Sequence, residues 1–166
     1  MIGNDVVDII QSRKESNWQR RGFLDKLFTA SEQLLIHQYP DPETMVWLLW
    51  SMKESAYKIY NRQTSIRAFV PLQLHCCNVY QREKDFTGEV HCNGFIFYTQ
   101  SEISDDIIHT KALCNKGLFD TIAEVKNATI VKDASGFPYI YGYQNKTLEP
   151  VSVSHHGRCH KVVKLL

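Results

Sequence analysis

Little in this sequence points to a membrane, a secretory route or a polyanionic partner. No apolar run approaches the ~20 residues needed to span a bilayer. Met1 leads at once into Asn4, Asp5 and Asp8, with no apolar signal-peptide core, which sets the expectation of a cytoplasmic protein. The 19 basic and 18 acidic side chains nearly cancel, to a net charge of +1. No global field therefore favours nucleic acid or an anionic membrane surface, and any anion site is local. The five cysteines (Cys76, Cys77, Cys92, Cys114 and Cys159) are odd in number and lack Cys-x-x-Cys spacing. That pattern indicates neither a zinc site nor a disulfide framework, so reduced thiols are expected, with Cys76, Cys92 and Cys114 packing in strands. Internal repeats, low-complexity tracts and long linkers are absent, as is any Gly-rich phosphate cradle or Gly-Lys-Ser/Thr.

What is present reads as one domain over residues 1–166. At 43% apolar, the chain has enough material for a substantial core. Its organising stretch is Met45 to Asn61. At ~100° per residue, Met45, Leu48, Leu49, Met52, Ala56 and Ile59 form one apolar stripe of an amphipathic helix. Glu54 lies opposite the stripe, with Lys58 one turn on and Trp50 one turn back, and Tyr57 and Asn61 share that second face. Two readings stand for Glu54 and Lys58. One is a surface i,i+4 ion pair worth a few tenths of a kcal/mol. The other is a metal-binding carboxylate with a lysine reaching toward phosphate.

Around that helix the pattern is mixed. Ile2 to Ile10 reads as an opening strand. Asp5 in its middle either has a partner or metal, or caps a turn after Gly3-Asn4. Asp8 is expected at the strand end or facing solvent. Gln11 to Asp25 is polar and basic, a solvated face. Thr29 with Glu32 three residues on is a capping box that opens a helix through His37. Tyr39 to Pro42 breaks that helix, and Asp41 as N-cap with Pro42 at N1 starts the central one. Beyond the connection Thr64 to Pro71 the period changes to that of strands: Leu72 to Tyr80, Glu89 to Gln100 and Ile107 to Cys114. Turns around Asp85–Gly88 and Ser104–Asp106 make these an antiparallel meander. His75, His91 and His109 show no ligand spacing and are read as strand residues. Leu118 to Val125 reads as a short helix and Ala128 to Lys132 as a strand. Asp133 to Pro138 is a turn with Gly136 at positive φ, and Tyr139 to Tyr143 is the next strand. After Asn145-Lys146, Val151-Ser152-Val153-Ser154 alternates like a strand and ends in His155-His156-Gly157. Cys159 to Leu165 is the last strand.

Three stretches then go together. Gly3-Asn4-Asp5-Val6-Val7-Asp8-Ile9, Trp50-Ser51-Met52-Lys53-Glu54-Ser55-Ala56-Tyr57-Lys58 and Ser152-Val153-Ser154-His155 resemble the motifs of 4′-phosphopantetheinyl transferases. Their order is that of the holo-acyl-carrier-protein-synthase type. Gly22–Thr29 with Glu32, and Asp133 through Gly136 to Ile140, agree with it. The resemblance covers residues 1–61 and about 128–166. The region 68–125 is an enlarged β-meander, more like the carboxy-terminal half of the surfactin-synthetase-type transferases. The fold implied is α+β, an antiparallel sheet packed against a long central helix.

The resemblance implies transfer of the phosphopantetheine arm of coenzyme A to a serine of an acyl- or peptidyl-carrier protein, releasing 3′,5′-adenosine diphosphate. The carrier would belong to fatty acid, polyketide or peptide synthesis. The ion expected is Mg²⁺, with Mn²⁺ as a substitute, on Asp5 and Glu54. Glu54 is also the candidate general base, and Lys58 would stabilise the transferred phosphate. Ser154 and His155, with Gly136 and Pro138, would hold the nucleotide end of coenzyme A. Where long transferases carry a second acid, this chain has Val7, so two protein carboxylates are expected on the ion. Leu49 stands where short synthases often have arginine, which leaves Arg62, Arg67 or Lys14 for the nucleotide. By analogy the site would form between subunits of a homo-oligomer, a trimer first, with Asp5, Glu54 and Lys58 facing Ser154 and His155 of a neighbour. The basic run Arg13 to Lys26 is the expected docking face for an acidic carrier. Two alternatives are a degenerate module that binds coenzyme A or a carrier without transfer, and an unrelated Mg²⁺-dependent phosphotransferase.

Overall fold

The computed structural model describes residues 1–142 and 147–166. Tyr143 and the Asn145-Lys146 turn lie outside the described residues. The chain opens with β1 (Ile2–Asp8), followed by α1 (Ile9–Glu15), α2 (Phe23–Leu27), α3 (Ala30–Gln38) and α4 (Pro42–Thr64). The meander is β2 (His75–Arg82), β3 (Asp85–Cys92), β4 (Phe95–Ser104) and β5 (Ile107–Leu113). Seven short or terminal pieces follow: a 3₁₀ turn at Lys116–Thr121, then β6 (Ile122–Glu124), β7 (Val131–Lys132), β8 (Pro138–Tyr141), β9 (Leu148–Pro150), β10 (Ser152–His156) and β11 (Cys159–Leu165). This is the expected mixed α+β architecture. A five-stranded antiparallel sheet in the order β1-β5-β4-β3-β2 packs on α4, with smaller sheets β10-β11-β6 and β7-β8-β9 beside it.

The central helix forms for the reasons its sequence gives. Asp41 accepts from Thr44 N, Pro42 sits in the first turn, and Ser65 ends the helix in the left-handed region. Met45, Leu48, Leu49, Met52, Ala56 and Ile59 are all buried in the main core. The opening strand is two residues shorter than expected because Asp8 turns it: its side chain caps α1 by accepting from Gln11 N. The capping box of Thr29 and Glu32 is present.

Several other boundaries differ. The first meander strand starts at His75 rather than Leu72, and the strand expected over Ala128 to Lys132 is only Val131–Lys132. Asp85 to Gly88 is not a turn but the start of β3; the preceding turn is at Glu83-Lys84, with Glu83 at φ 56°. The stretch Glu89 to Gln100 is two strands, because Asn93 and Gly94, at φ 48° and 83°, make a two-residue hairpin turn. That Asn-Gly pair is itself a strong hairpin signal, overridden by the apolar residues around it. Leu118 to Val125 is a 3₁₀ turn running into β6 rather than a helix. Among the described residues, no helix is long and apolar enough to cross a membrane.

Two contacts fix how α4 lies on the sheet. On its inner side Gly3, Ser51 and Ser55 let helix and strand approach closely. Ser51 Oγ donates to Asp5 O (3.4 Å) and Ser55 Oγ to Thr110 O (3.2 Å). A Cβ on Gly3 would run into the Ser55 carbonyl oxygen. On another side Lys53 is fully buried, and its three donors are spent on Leu27 O (2.8 Å), Glu32 Oε2 (2.8 Å) and Pro71 O (2.9 Å). Glu32 in turn accepts from Thr29 N and Cys76 N. Lys53→Met leaves Glu32 buried without its cation and is expected to cost about 3–5 kcal/mol in urea unfolding. Adding Glu32→Gln should recover part of that loss; no recovery would show that the lysine acts by packing alone.

Candidate active site

The site grows from the way β1 is held at both of its edges. One edge pairs with β5, from Ile2↔Leu113 to Asp8↔Ile107. The other edge presents the N–H groups of Asn4, Val6 and Asp8, and β10 satisfies them with side chains. Ser152 Oγ accepts from Asn4 N (2.9 Å), Ser154 Oγ from Val6 N (3.0 Å) and His156 Nδ1 from Asp8 N (2.9 Å). Two-residue spacing on both strands keeps the rungs in step. The remaining ring nitrogen of His156, Nε2, meets Glu15 Oε2 at 3.0 Å. His156 is thus an anchor of β1.

Side chains alternate along β1. Gly3, Asp5 and Val7 face α4, while Asn4 and Asp8 face away. Asp5 therefore meets the second face of the helix. Its Oδ1 accepts from Ser154 Oγ (2.9 Å), and Lys58 Nζ stands 3.6 Å away. Lys58 donates to Asn4 O (2.6 Å) and Val153 O (3.2 Å), which fixes its ammonium between β1 and β10. Asp8 belongs to a different cluster: Arg158 Nε donates to it at 2.8 Å, and that guanidinium holds its carboxyl well below the usual range.

Among the described residues Glu54 makes no ion pair within 4 Å, and the i,i+4 pair with Lys58 does not form; Lys58 faces Asp5 instead. It shares with Asp5 a cavity of about 400 Å³, also lined by Trp50, Phe23, Leu27 and His155. Burial, helped by the Asp5 charge and opposed by Lys58, pushes the Glu54 carboxyl up to about 7. Burial also raises Asp5, against Lys58 and the Ser154 hydrogen bond. Two carboxylates held together at such cost fit a hard divalent cation, which takes one or two carboxylates plus water and phosphate oxygens. Phe69 packs edge-on against Trp50 (5.4 Å) and tilted against Tyr57 (5.0 Å), walling the helix face on which Glu54 sits.

A second cavity, of about 500 Å³, is lined by Lys58, Arg62, Gly136, Phe137, Pro138 and His155. His155 is common to both cavities. The turn over the second is preformed. Asp133 Oδ1 accepts from Ser135 N (2.9 Å) and Phe137 N (2.8 Å), and Gly136 takes φ 81°. Arg62 donates to Pro138 O (3.1 Å) and Val151 O (3.0 Å), with its guanidinium 5.2 Å from the Phe137 and Tyr139 rings. Arg67 donates to Ser135 O (2.6 Å), and Lys14 lines neither cavity.

Six expected site residues, Asp5, Glu54, Lys58, His155, Gly136 and Pro138, therefore line two adjoining cavities. The seventh, Ser154, is buried and turned to Asp5. One expectation is corrected: Asp5 and Ser154, assigned to different subunits, meet within one chain, because β10 folds back along the free edge of β1. Sequence reasoning missed Lys53, Phe69, His156 and the Asp8–Arg158 pair. The Ser-x-Ser-x-His alternation was the available signal for the rungs.

The family model of the 4′-phosphopantetheinyl transferase superfamily matches residues 1–108. No curated protein matches the chain. With that match covering most of its length, the chain belongs to the 4′-phosphopantetheinyl transferase superfamily, and the general chemistry expected of it is phosphopantetheinyl transfer.

The raised Glu54 value has a sign. Between the ordinary 4.5 and about 7, the folded protein holds a proton that the unfolded chain has released. Stability of the metal-free protein therefore falls as pH rises through that window and stays low above it. Glu54→Gln should raise the melting temperature at pH 8 by about 2–6 °C and leave it nearly unchanged at pH 4.5. An equal gain at both pH values would remove ionisation as the cause.

Proposed function

We propose that this member of the superfamily moves the 4′-phosphopantetheine arm of coenzyme A to a serine hydroxyl of an apo acyl- or peptidyl-carrier protein. The observation that carries this reading is a pair of buried carboxyls lining one cavity, Asp5 facing Lys58 and Glu54 beside them, joined through His155 to a second cavity with a basic and aromatic lining. A pyrophosphate bridging the two would place its cleaved bond near Lys58.

In this reading the serine oxygen attacks the phosphorus that carries pantetheine. The bond to the nucleotide phosphate breaks, and 3′,5′-adenosine diphosphate leaves. Glu54 is the candidate to receive the serine proton, directly or through a metal-bound water. Lys58, pinned by two carbonyls, has one donor left for the phosphate in transfer. Asp5 and Glu54 would hold a divalent ion, Mg²⁺ or Mn²⁺, which when bound supplies charge neutralisation at the pyrophosphate. Ser154 positions Asp5. His155 and the Gly136–Pro138 turn hold the nucleotide end, with Arg62 stiffening that turn. The basic stretch from Arg13 to Lys26 leads past Phe23 and Leu27 at the mouth of the first cavity, which suits an acidic carrier.

The test is intact-mass spectrometry of an apo acyl carrier protein incubated with the protein, coenzyme A and Mg²⁺. A gain of one phosphopantetheine arm is expected. Asp5→Asn and Glu54→Gln should each slow it by ~100-fold or more, and Ser154→Ala should raise the Mg²⁺ requirement by ~10-fold. No gain across fatty-acid and peptide carriers, with coenzyme A binding verified, would leave a binding module instead. In the same assay, Arg20→Glu with Arg21→Glu should raise the carrier KM at low salt and leave kcat unchanged. An unchanged KM would place the carrier elsewhere.

A further inference from the structure

The outer face of the meander, away from both cavities, carries a second group of ligand-type side chains. Cys77 on β2 stands directly across from Glu89 on β3, and His91 follows two residues later on the same face. Cys77 Sγ, a Glu89 oxygen and a His91 ring nitrogen all lie within 4.8 Å of one another. His91 Nε2 and Glu89 Oε2 are 2.8 Å apart, and Asn78 donates to the same oxygen at 3.1 Å. Just after Cys77 the pairing of β2 shifts register, and Asn78 takes φ 51°. A bulge there re-aims the side chains next to it. None of these three residues has a part in the chemistry proposed for the cavities.

We propose that Cys77, Glu89 and His91 form a zinc-class divalent metal site on the outer face of the meander. Donors of a tetrahedral zinc site stand roughly 3.5 Å apart, so a small closing movement of these half-buried side chains suffices. One thiolate, one imidazole and one carboxylate make a borderline-soft donor set, which selects zinc or cobalt over the oxygen-seeking Mg²⁺ of the cavity. Without a cation, burial and the Glu89 charge oppose ionisation of the Cys77 thiol, while Glu89 itself is held charged by His91 and Asn78. A bound dication would offset the Glu89 charge at the thiol. Asn78 is already placed as the outer partner that orients the Glu89 carboxylate. Three protein ligands leave the fourth position to water, since His75, across from His91, is bonded to Ser31. Bound there, the ion would pin β2, the edge strand, to β3.

Cobalt is the probe, because cobalt on thiolate gives an intense near-ultraviolet charge-transfer band, and cobalt on the all-oxygen cavity site does not. Titrating the metal-free protein with Co²⁺ in excess Mg²⁺ should develop that band to one equivalent, and Zn²⁺ should displace it. Cys77→Ser should lose the band, His91→Gln should weaken Co²⁺ binding at least tenfold, and Glu54→Gln should leave it unchanged. Melting of each variant without metal should match the parent, so that loss of the band reports ligation and not unfolding. Absence of the band in the parent, or its persistence in Cys77→Ser, would overturn the proposal.

Discussion

The burial of Lys53 is the constraint on which the rest of this structure rests. An ammonium with no access to water is tolerable only when every donor finds an acceptor. Here those acceptors come from α3, from the end of α2 and from the turn before β2. Three segments are thereby tied to one residue of α4. The consequence is rotational: with residue 53 locked and the apolar stripe on the core, Glu54 and Lys58 have only β1 and β10 to face. The next residue along the chain from a purely structural lysine is thus the carboxylate on which the proposed chemistry rests.

The two cavities divide the electrostatic work. The first gathers negative charge in a desolvated place, where Asp5 and Glu54 each resist ionisation. The second is walled by a guanidinium, an ammonium and aromatic rings. The first arrangement is not stabilising by itself. A ligand carrying both a cation and a polyphosphate would offset the charge of the first and meet the basic lining of the second.

Much of this was legible in the sequence because local rules and the fold agreed. The capping box at Thr29, the Asp41-Pro42 helix start, the apolar stripe of α4 and the turn at Gly136 all follow from short-range chemistry. Asp8 does end β1, as expected, but it is buried against Arg158 rather than facing solvent. The failures have a common cause. Asn93-Gly94 was hidden because Cys92 and Phe95 to Phe97 read as one continuous apolar strand. Lys53 looked like one more charged helix residue, since nothing nearby in sequence announces the carbonyls that bury it. The assignment of Ser154 to a neighbouring subunit erred because the return of β10 to β1 is a contact over some 150 residues, invisible to any local pattern.

In an ordinary sheet the pairing of two strands is made by the backbone and is indifferent to which side chains the strands carry. The edge between β1 and β10 is different: it is written in two hydroxyls and an imidazole. Replacing any of them with a residue of equal size and strand preference would erase a rung while leaving the strand itself intact. Positions 152, 154 and 156 therefore set the seat of the strand that carries the Asp5 carboxylate. A residue that never meets a substrate can be as intolerant of change as one that does.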